Sequence, residues 1–332
     1  MAPAIEEHVD PLSSNGQKLC IKNFIWSDSE WPQINYNHFD DRDDIPLISL
    51  QKDQNYEKVG RDMVAASNKW GFFKLVDHGV PSEIVENMRA RLNEMFMEEK
   101  LKGARSATMP LGYCATNPDY GKNLPWAEIL QLLIVEAMVE YMEALDKLGM
   151  TIMEMLANGL GLQSDFFTKN FEEKDSTMIR INKYPPCPLP EKCLGVGRHT
   201  DPHTLTILLA DNVGGLQVLK DDNQWVGIRP IPNSFVINIG DTFEYMDNWE
   251  AKECDTQSSG EQREEQTINC IFPKPCTCTI IDSPPELLED PNTDPPINRK
   301  YVPFTWADFR KELLIQKRVI GKIALNRYLI SP

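Results

Sequence analysis

The chain has 332 residues, of which 41% are hydrophobic, 25% charged and 9% aromatic. This composition excludes wholesale disorder and collagen-like repeats. Fifty Asp and Glu residues against 34 Lys and Arg residues give a formal net charge of −16. Such a surface repels phosphate backbones and anionic lipids, so we expect neither a nucleic-acid partner nor a membrane partner.

The first half of the chain predicts a polar arm followed by a mixed α/β region. Residues 1–43 are rich in Asp and Asn and are expected to form a loosely ordered arm, whereas residues 44–165 form the α/β region. The elements predicted there are a strand at 45–50, a helix from Val59 to a stop at Gly71, a strand at 72–76, a helix through 84–96, a loop at 103–125 and a helix at 129–160 that ends within 157–162.

After residue 165 the apolar pattern changes to short runs with a period near two. These runs, separated by Pro and Gly, predict strands and indicate a β-sandwich or barrel of the jelly-roll kind over about 175–282. The predicted strands are 178–182, 205–209, 215–219, 225–228 and 235–239. The end of the chain, 303–332, predicts one amphipathic helix across 304–329.

The start of the chain and its cysteines indicate a cytoplasmic protein. The first ten residues contain no basic segment followed by an apolar one, so no secretory signal is predicted. The most apolar stretch, 129–139, is too short to span a bilayer. Eight Cys residues without framework spacing are typical of reduced thiols.

The triplet His199-Thr-Asp201 is the strongest candidate for chemistry. Residues two apart in a strand point the same way, so the imidazole and the carboxylate are expected to converge. They are two members of a 2-His-1-carboxylate triad, which holds Fe(II) and leaves positions open for a co-substrate and O₂. Taken alone, the triplet is equally compatible with a surface turn at Asp201-Pro202.

Further motifs stand on either side of this triplet. In chain order the motifs are Trp70-Gly-Phe-Phe73, His78-Gly-Val-Pro81, Asn182-Lys-Tyr184 with Pro185-Pro-Cys-Pro188, His199-Thr-Asp201, Gly214-Gly-Leu-Gln-Val218 and Asn238-Ile-Gly-Asp241. Their order resembles that of the plant 2-oxoglutarate- and Fe(II)-dependent dioxygenases. The resemblance covers about 44–248 and 277–332, and within this family the chain is most similar to the gibberellin oxidase-like branch.

This resemblance implies an α+β protein with a double-stranded β-helix (jelly-roll) core, an N-terminal α/β region and flanking helices. His199 and Asp201 would be the Fe(II) ligands, and Tyr184, with Asn182, would face 2-oxoglutarate. The family consumes O₂ and 2-oxoglutarate, in some members with ascorbate, and releases succinate and CO₂ as it oxidises a C–H bond. The expected protein is a monomer whose partner is a small plant metabolite.

Two features of the family are missing. The family has a second His at a spacing that corresponds to position 256, where this chain has Thr256. It also has an Arg-x-Ser that clamps the far carboxylate of 2-oxoglutarate, and at the corresponding positions this chain has Gln266 to Ile268. When residues 249–278 are back-translated and read one base later, the permitted residues include a His at Thr256 and an Arg-x-Ser. We therefore interpret 249–278 as a frameshifted segment in preference to a naturally diverged one. The resemblance is also interrupted near Leu133, where about twenty family residues are absent.

Other interpretations remain open. His203 as the missing ligand would lie roughly 13 Å from His199 along a strand, and His78 follows a buried strand as a structural turn residue. A replacement ligand could come from 253–255. Cys254, Cys270, Cys276 and Cys278 lack the paired spacing of a zinc knuckle. A chain with an incomplete triad could also be a catalytically dead jelly roll that only binds a small molecule.

Overall fold

The computed structural model describes residues 21–26, 45–51, 55–101, 111–114, 124–132, 138–170, 178–209, 211, 213–219, 225–247, 256–259, 266–272, 279–288, 299–315 and 324–330. The helices in these ranges are α1 (Tyr56–Trp70), α2 (Ser82–Leu101), α3 (Val139–Gly159), α4 (Asp241–Asp247), α5 (Pro285–Leu288) and α6 (Trp306–Ile315). The strands are β1 (Leu47–Ser49), β2 (Phe72–Val76), β3 (Gly112–Cys114), β4 (Glu128–Leu132), β5 (Met178–Tyr184), β6 (Leu194–His199), β7 (Leu205–Leu209), β8 (Leu216–Leu219), β9 (Trp225–Gly227), β10 (Phe235–Ile239), β11 (Thr256–Ser259), β12 (Gln266–Phe272), β13 (Ile280–Ile281) and β14 (Phe304–Thr305).

Across the described residues these strands form a large sheet, a small sheet and a two-stranded ribbon of β13 and β14. The large sheet has the order β1-β2-β10-β7-β12-β5-β4-β3, and the small sheet has the order β6-β11-β8-β9. The antiparallel pairs β5·β12, β6·β11, β7·β10 and β8·β9 are nested, first strand with last. From β5 to β12 the chain therefore passes to the other sheet at every step except between β8 and β9, which are neighbours in the small sheet.

Both faces of the large sheet are covered. One face, which includes Ile207, packs against helical residues such as Met63. The opposite face, which includes Leu208, packs against Leu216 of the small sheet. Successive residues of a strand face opposite sides, so β7 is buried along its whole length. The face of the large sheet that packs against the small sheet is called the inner face below.

Several sequence predictions are confirmed by the structure. Helix α1 begins after Asn55, whose side chain accepts a hydrogen bond from the Lys58 backbone N–H at 3.2 Å. It ends at Gly71, which has φ 72° and supplies the left-handed C-cap that a side chain would disfavour. Strands β7 and β10 occupy the residues predicted for them. The mixture of helix and sheet is confirmed as well.

The helix predicted across 129–160 is wrong in its first part. Residues 128–132 form β4, which pairs with β5 through Leu130 opposite Ile181, and α3 begins only at Val139. Leu130 is buried on the helix side of the sheet and Ile129 on the inner face. A short apolar run that is buried on both faces has no period that separates strand from helix.

Other differences also come from non-local packing. Strand β3 lies within the predicted loop at 103–125, and β6, β11 and β12 were not predicted. The expected C-terminal helix is shorter, because 304–305 form a strand and α6 covers Trp306–Ile315. The expectation of a loosely ordered arm does not hold for residues 21–26, since Phe24 is buried in the helix-side core.

The predicted N-terminal region and the predicted jelly-roll core both contribute strands to the large sheet. Strands β1 to β4 come from the N-terminal region, yet all four join the large sheet beside β10 and β5. No helix in the described parts of the chain is long and apolar enough to cross a membrane.

Candidate metal and co-substrate site

His199 is the last residue of β6, and a backbone carbonyl of its own strand orients its ring. Nδ1 lies 2.9 Å from the carbonyl oxygen of Gly197. With the proton on Nδ1, the ring donates this hydrogen bond and leaves the Nε2 lone pair available for a metal ion. The side chain is 28% exposed, so Nε2 is accessible without being fully solvated.

Asp201 is held by two side chains from neighbouring strands. The Thr206 hydroxyl donates to Asp201 Oδ2 at 2.6 Å, and the Asn238 amide nitrogen lies 3.4 Å from the same oxygen. Thr206 and Asn238 are direct partners in the β7–β10 pairing. Because both contacts are to Oδ2, the other oxygen, Oδ1, is directed toward His199 and lies 3.8 Å from its Nε2.

The turn that carries Asp201 is held at the start of α4. The backbone N–H of Asp241 donates to the Asp201 carbonyl at 2.8 Å, and that of Gly240 donates to Thr204 at 3.0 Å. A Cβ atom at Gly240 would overlap the carbonyl of His203. His199 and Asp201 therefore converge as predicted, but not as two residues of one strand. A strand end and a braced turn bring them together.

The donor set of this site fits part of an iron centre. His199 Nε2 and Asp201 Oδ1 lie 3.8 Å apart, so a nitrogen donor and an oxygen donor are close enough together that they could hold one metal ion. Imidazole and carboxylate are two of the ligands in the Fe(II) facial triad. Among the described residues, no group of three or more His, Cys, Asp or Glu side chains is placed to hold a metal ion.

Asn182 and Tyr184, expected to face 2-oxoglutarate, are buried on β5. Both are nearly inaccessible, at 6% and 4% exposed. Tyr184 packs in the inner-face core, and Asn182, two residues away, shares its side of the strand. The Asn182 side-chain oxygen accepts a hydrogen bond from Arg180 Nε at 2.9 Å. These residues are two strands away from Thr206, because β12 lies between β5 and β7.

The backbone register locates the positions at which the family residues are missing. Position 256 is the direct partner of His199 in the β11–β6 pairing. In the β12–β5 pairing, position 266 is opposite Tyr184 and position 268 is opposite Asn182. Residues directly opposite each other in an antiparallel pair lie on the same face. The three positions therefore adjoin the candidate site residues, although the chain has Thr, Gln and Ile there.

Sequence reasoning missed three polar residues of the inner face. Thr206 and Asn238 orient Asp201, and Arg180 adds a cation beside Asn182. In the sequence, Asn238 stands out only as part of a family motif. Thr206 is a polar residue inside the apolar run 205–209, directly after the His-x-Asp triplet. A hydroxyl at such a place is a signal that it supports a ligand.

The other residues considered as metal ligands differ in where the structure places them. His78 is a structural residue, as expected: its Nδ1 accepts from the Val80 N–H and its Nε2 lies 3.2 Å from the Asn233 carbonyl. His203 lies in the turn after Asp201 with its ring 5.8 Å from that of Trp306. Residues 253–255, Cys276 and Cys278 lie outside the described residues, as does the side chain of Cys270.

A small cavity of about 20 Å³ lies elsewhere on the inner face, between β2, β8 and β10. Lys74, Leu216, Ser234 and Val236 are among its lining residues, and none of the four predicted site residues lines it. This cavity therefore does not identify a substrate site next to His199.

Two family profiles match the chain. The profile of the 2OG-Fe(II) oxygenase superfamily matches residues 176–257, and that of the non-haem dioxygenase in morphine synthesis N-terminal region matches residues 45–140. The first match contains both His199 and Asp201. It ends at 257, within the segment where the sequence departs from the family.

Curated relatives and a solved structure resemble most of the chain. Gibberellin 20 oxidase 1 of Arabidopsis thaliana is 34% identical over 90% of this chain and 85% of its own length. Naringenin,2-oxoglutarate 3-dioxygenase of Matthiola incana is 32% identical over 73% of this chain and 75% of its own. The crystal structure of JOX2 in complex with 2OG, Fe and JA superposes with a TM-score of 0.79 at 30% identity, covering 93% of each chain.

Proposed function

Because the chain belongs to the 2OG-Fe(II) oxygenase superfamily, we propose that it is an oxidoreductase that hydroxylates or oxidises a small plant metabolite, and that it holds iron weakly. Its family and homologues are 2-oxoglutarate-dependent dioxygenases, and Fe(II) and 2-oxoglutarate are their cofactor and co-substrate. The observation that carries the proposal is the convergence of His199 Nε2 and Asp201 Oδ1 at 3.8 Å.

The nested strand pairing supports a double-stranded β-helix as the core of this enzyme. Four antiparallel pairs join the first to the eighth, the second to the seventh, the third to the sixth and the fourth to the fifth strand of β5–β12. This order folds a long hairpin into two facing sheets, which is the jelly-roll arrangement. It places the end of β6 and the start of β7 at one end of the inner face.

Within this core the chain's own residues would bind, orient and exclude water. His199 Nε2 and Asp201 Oδ1 would hold Fe(II), while Thr206 and Asn238 keep the second carboxylate oxygen of Asp201 occupied. Asn182 and Tyr184 would border 2-oxoglutarate, and their burial would keep bulk water from it. When bound, the metal and co-substrate supply the oxidising chemistry.

We expect impaired iron binding and turnover because of the residues at three backbone positions next to the site. Thr256, opposite His199, has no imidazole or carboxylate, and Gln266 and Ile268, opposite Tyr184 and Asn182, lack the guanidinium of an Arg-x-Ser clamp. A charge-assisted pair with a carboxylate is roughly twice as strong as a neutral hydrogen bond, so its loss weakens co-substrate binding. We therefore expect weak iron retention and little turnover.

We attribute these losses to a shift of reading frame across 249–278. The superfamily match ends at 257, inside this segment. The same one-base shift that permits a His at position 256 also permits an Arg-x-Ser at 266–268. The register positions of these residues, each beside a candidate site residue, support one shared origin. Sequencing the transcript across codons 245–280 would distinguish a shifted frame from natural divergence.

For the substrate we propose a gibberellin-like diterpenoid acid within the wider class of plant metabolites. Several curated relatives are gibberellin 20 oxidases, while others are naringenin 3-dioxygenases. The site itself does not separate a terpenoid acid from a flavonoid, because substrate contacts come from loops rather than from the metal ligands.

The test is an anaerobic Fe(II) titration combined with measurement of succinate release. We expect weak iron binding and little succinate, and we expect His199→Ala and Asp201→Ala to remove the binding that remains. Iron binding that is unaffected by both substitutions would contradict the site. Tight stoichiometric iron with coupled turnover would contradict the impairment and would place a replacement ligand within 249–278.

The second candidate is a catalytically dead jelly roll that retains a binding pocket, which the incomplete donor set favours. Such a protein would be stabilised against heat by a gibberellin-like acid or a flavanone, and this stabilisation would not depend on Fe(II). Stabilisation that requires both Fe(II) and 2-oxoglutarate would instead favour the enzyme.

A further inference from the structure

Residues 21–26 are fastened beside strand β6. The backbone N–H of Trp26 donates to the carbonyl of Lys192, just before β6, at 3.0 Å. Two residues earlier, the buried ring of Phe24 packs edge-on against the indole of Trp126, with ring centroids 5.0 Å apart. These two contacts hold the segment at neighbouring points, so the half-buried side chain of Trp26 has a defined position next to β6.

The indole ring of Trp26 lies against the backbone of Gly197 in β6. A Cβ atom at residue 197 would overlap Cη2 of Trp26 and would lie 2.9 Å from its Cζ2. The indole N–H is buried and has no hydrogen-bond partner among the described residues. The contact with Gly197 is therefore one of van der Waals packing, and it is possible because glycine has no side chain.

Gly197 lies where the pairing of β6 is irregular. Strand β6 is at the edge of the small sheet, with β11 as its neighbour. Gly197 and Arg198 lie opposite a single residue of β11, Gln257, because the register shifts there. Such a bulge disrupts the ladder of backbone hydrogen bonds locally. Regular pairing therefore does not set the direction of the Gly197 carbonyl, and a contact from outside the sheet can do so.

This carbonyl oxygen is the one that lies 2.9 Å from Nδ1 of His199. We propose that Trp26 is a positioning residue for His199: its indole, packed on Gly197, holds the Gly197 carbonyl in the direction that orients the imidazole. The inference rests on the proposed function in one respect, that Nε2 of His199 is an iron ligand. The N-terminal segment thus acts on the site through one backbone carbonyl.

The proposal makes the ring proton of His199 depend on Trp26. In a neutral imidazole, the hydrogen bond made by one nitrogen decides which nitrogen carries the proton. While the Gly197 carbonyl accepts from Nδ1, the lone pair of Nε2 is available to a metal ion. Without the indole the carbonyl can turn away, and the proton can then move to Nε2, where it blocks metal binding.

The experiment reads this tautomer by NMR of the full, metal-free chain with isotope-labelled histidine, at about pH 8, where an ordinary His is neutral. In the native chain we expect the proton of His199 on Nδ1, and His199→Asn identifies the signal by its loss. His78 is an internal reference with the opposite tautomer, because its Nδ1 accepts from the Val80 N–H and its Nε2 faces the Asn233 carbonyl.

Four variants test the contact. Trp26→Ala should move part of the His199 proton from Nδ1 to Nε2 and leave the His78 signal unchanged, which also shows that the variant is folded. Gly197→Ala should act in the same way because its methyl group displaces the indole, and it gives the reading if Trp26→Ala does not fold. The double variant should lie closer to the native chain than Gly197→Ala alone, since the methyl group then has room. Lys22→Ala, at an exposed position of the same segment, is the control.

Anaerobic Fe(II) titration gives a second readout, in which Trp26→Ala should lower the affinity by roughly 10–100-fold. The proposal is overturned if the His199 proton remains on Nδ1 in the folded Trp26→Ala chain, if the native chain already carries it on Nε2, or if Lys22→Ala moves it equally. Failure of the iron site is seen separately. Iron binding that survives His199→Ala contradicts the proposed function, whereas the tautomer, read without metal, still decides the role of Trp26.

Discussion

Thr256 lies directly opposite His199 in the antiparallel pairing of β11 with β6. Backbone positions that are directly opposite each other in an antiparallel pair belong to the same face of a sheet. We therefore expect the third ligand of the proposed iron site at this position, where the chain has Thr, a residue that does not ligate iron in a facial triad.

We expect Thr256→His to raise the affinity for Fe(II) by at least about tenfold, since even the outer partners of metal ligands change affinity by roughly 10–100-fold. Anaerobic titration measures the change. The matched control is Gln257→His, which adds the same imidazole one residue along β11, on the opposite side of the strand. Equal gains in both variants would contradict the assignment of position 256.

Restoring the clamp should change co-substrate use rather than iron binding. In the Thr256→His background, Gln266→Arg with Ile268→Ser should lower the KM for 2-oxoglutarate and increase succinate release, because a guanidinium opposite Tyr184 can pair with the far carboxylate. Steady-state succinate assays measure both values. If both substitutions leave the KM for 2-oxoglutarate unchanged while the iron site stays intact, as an unchanged Fe(II) affinity would indicate, β12 does not border the co-substrate.

Removing the hydroxyl that holds Asp201 should weaken the metal site. Thr206→Val keeps the shape of the side chain but loses the 2.6 Å hydrogen bond to Oδ2, and we expect a loss of roughly 10–100-fold in Fe(II) affinity. Titration in the Thr256→His background keeps binding measurable. Thr206→Ser should restore the affinity, and Thr151→Val, at a half-buried position of α3, should have no effect. Equal losses in the Ser and Val variants would mean that packing, not the hydrogen bond, matters.

The stability of the fold should fall as the pH drops below the ordinary pKa of His. Burial is the main cause that lowers the pKa of His78 from 6.5 in the folded state. The unfolded chain therefore takes up a proton at a higher pH than the folded chain does. The stability contribution of neutral His78 is present above pH 6.5 and is lost as the pH falls from there toward the lower folded pKa.

Thermal unfolding of the native chain and of His78→Asn across this range measures the effect. The variant should show a weaker dependence on pH. An NMR titration of the His78 ring provides a direct check, because a midpoint at or above 6.5 would contradict the prediction.

Adding a methyl group between α1 and α3 should destabilise the protein. A Cβ at Gly60 would overlap the carbonyl oxygen of Met155, and Gly159 approaches Gly60 in the same way. We expect Gly60→Ala to cost about 1–3 kcal/mol of unfolding free energy, although alanine favours a helix. Arg61→Ala, on the exposed side of α1, is the control and should change little. Chemical denaturation measures both, and equal stability in the two variants would mean that the helices can separate at no cost.

The parts of the fold that could be predicted from sequence are those with a local cause. Asn55 and Gly71 delimit α1 because a side-chain cap and a left-handed residue act within one turn. Strand β10 was predicted because apolar residues of Phe235–Ile239 end at turns on both sides. Residues 128–132 were predicted as helix, since only pairing with β5 makes this run a strand.

For the candidate site, the sequence by itself predicted the His-x-Asp pair and the family to which the chain belongs. Only the tertiary structure decided what surrounds them. Thr206 and Asn238 meet at Asp201 because β7 and β10 pair in one register. The physical reason is that spacing along a chain fixes only local geometry, whereas strand register is set by closure of the sheets around a common core.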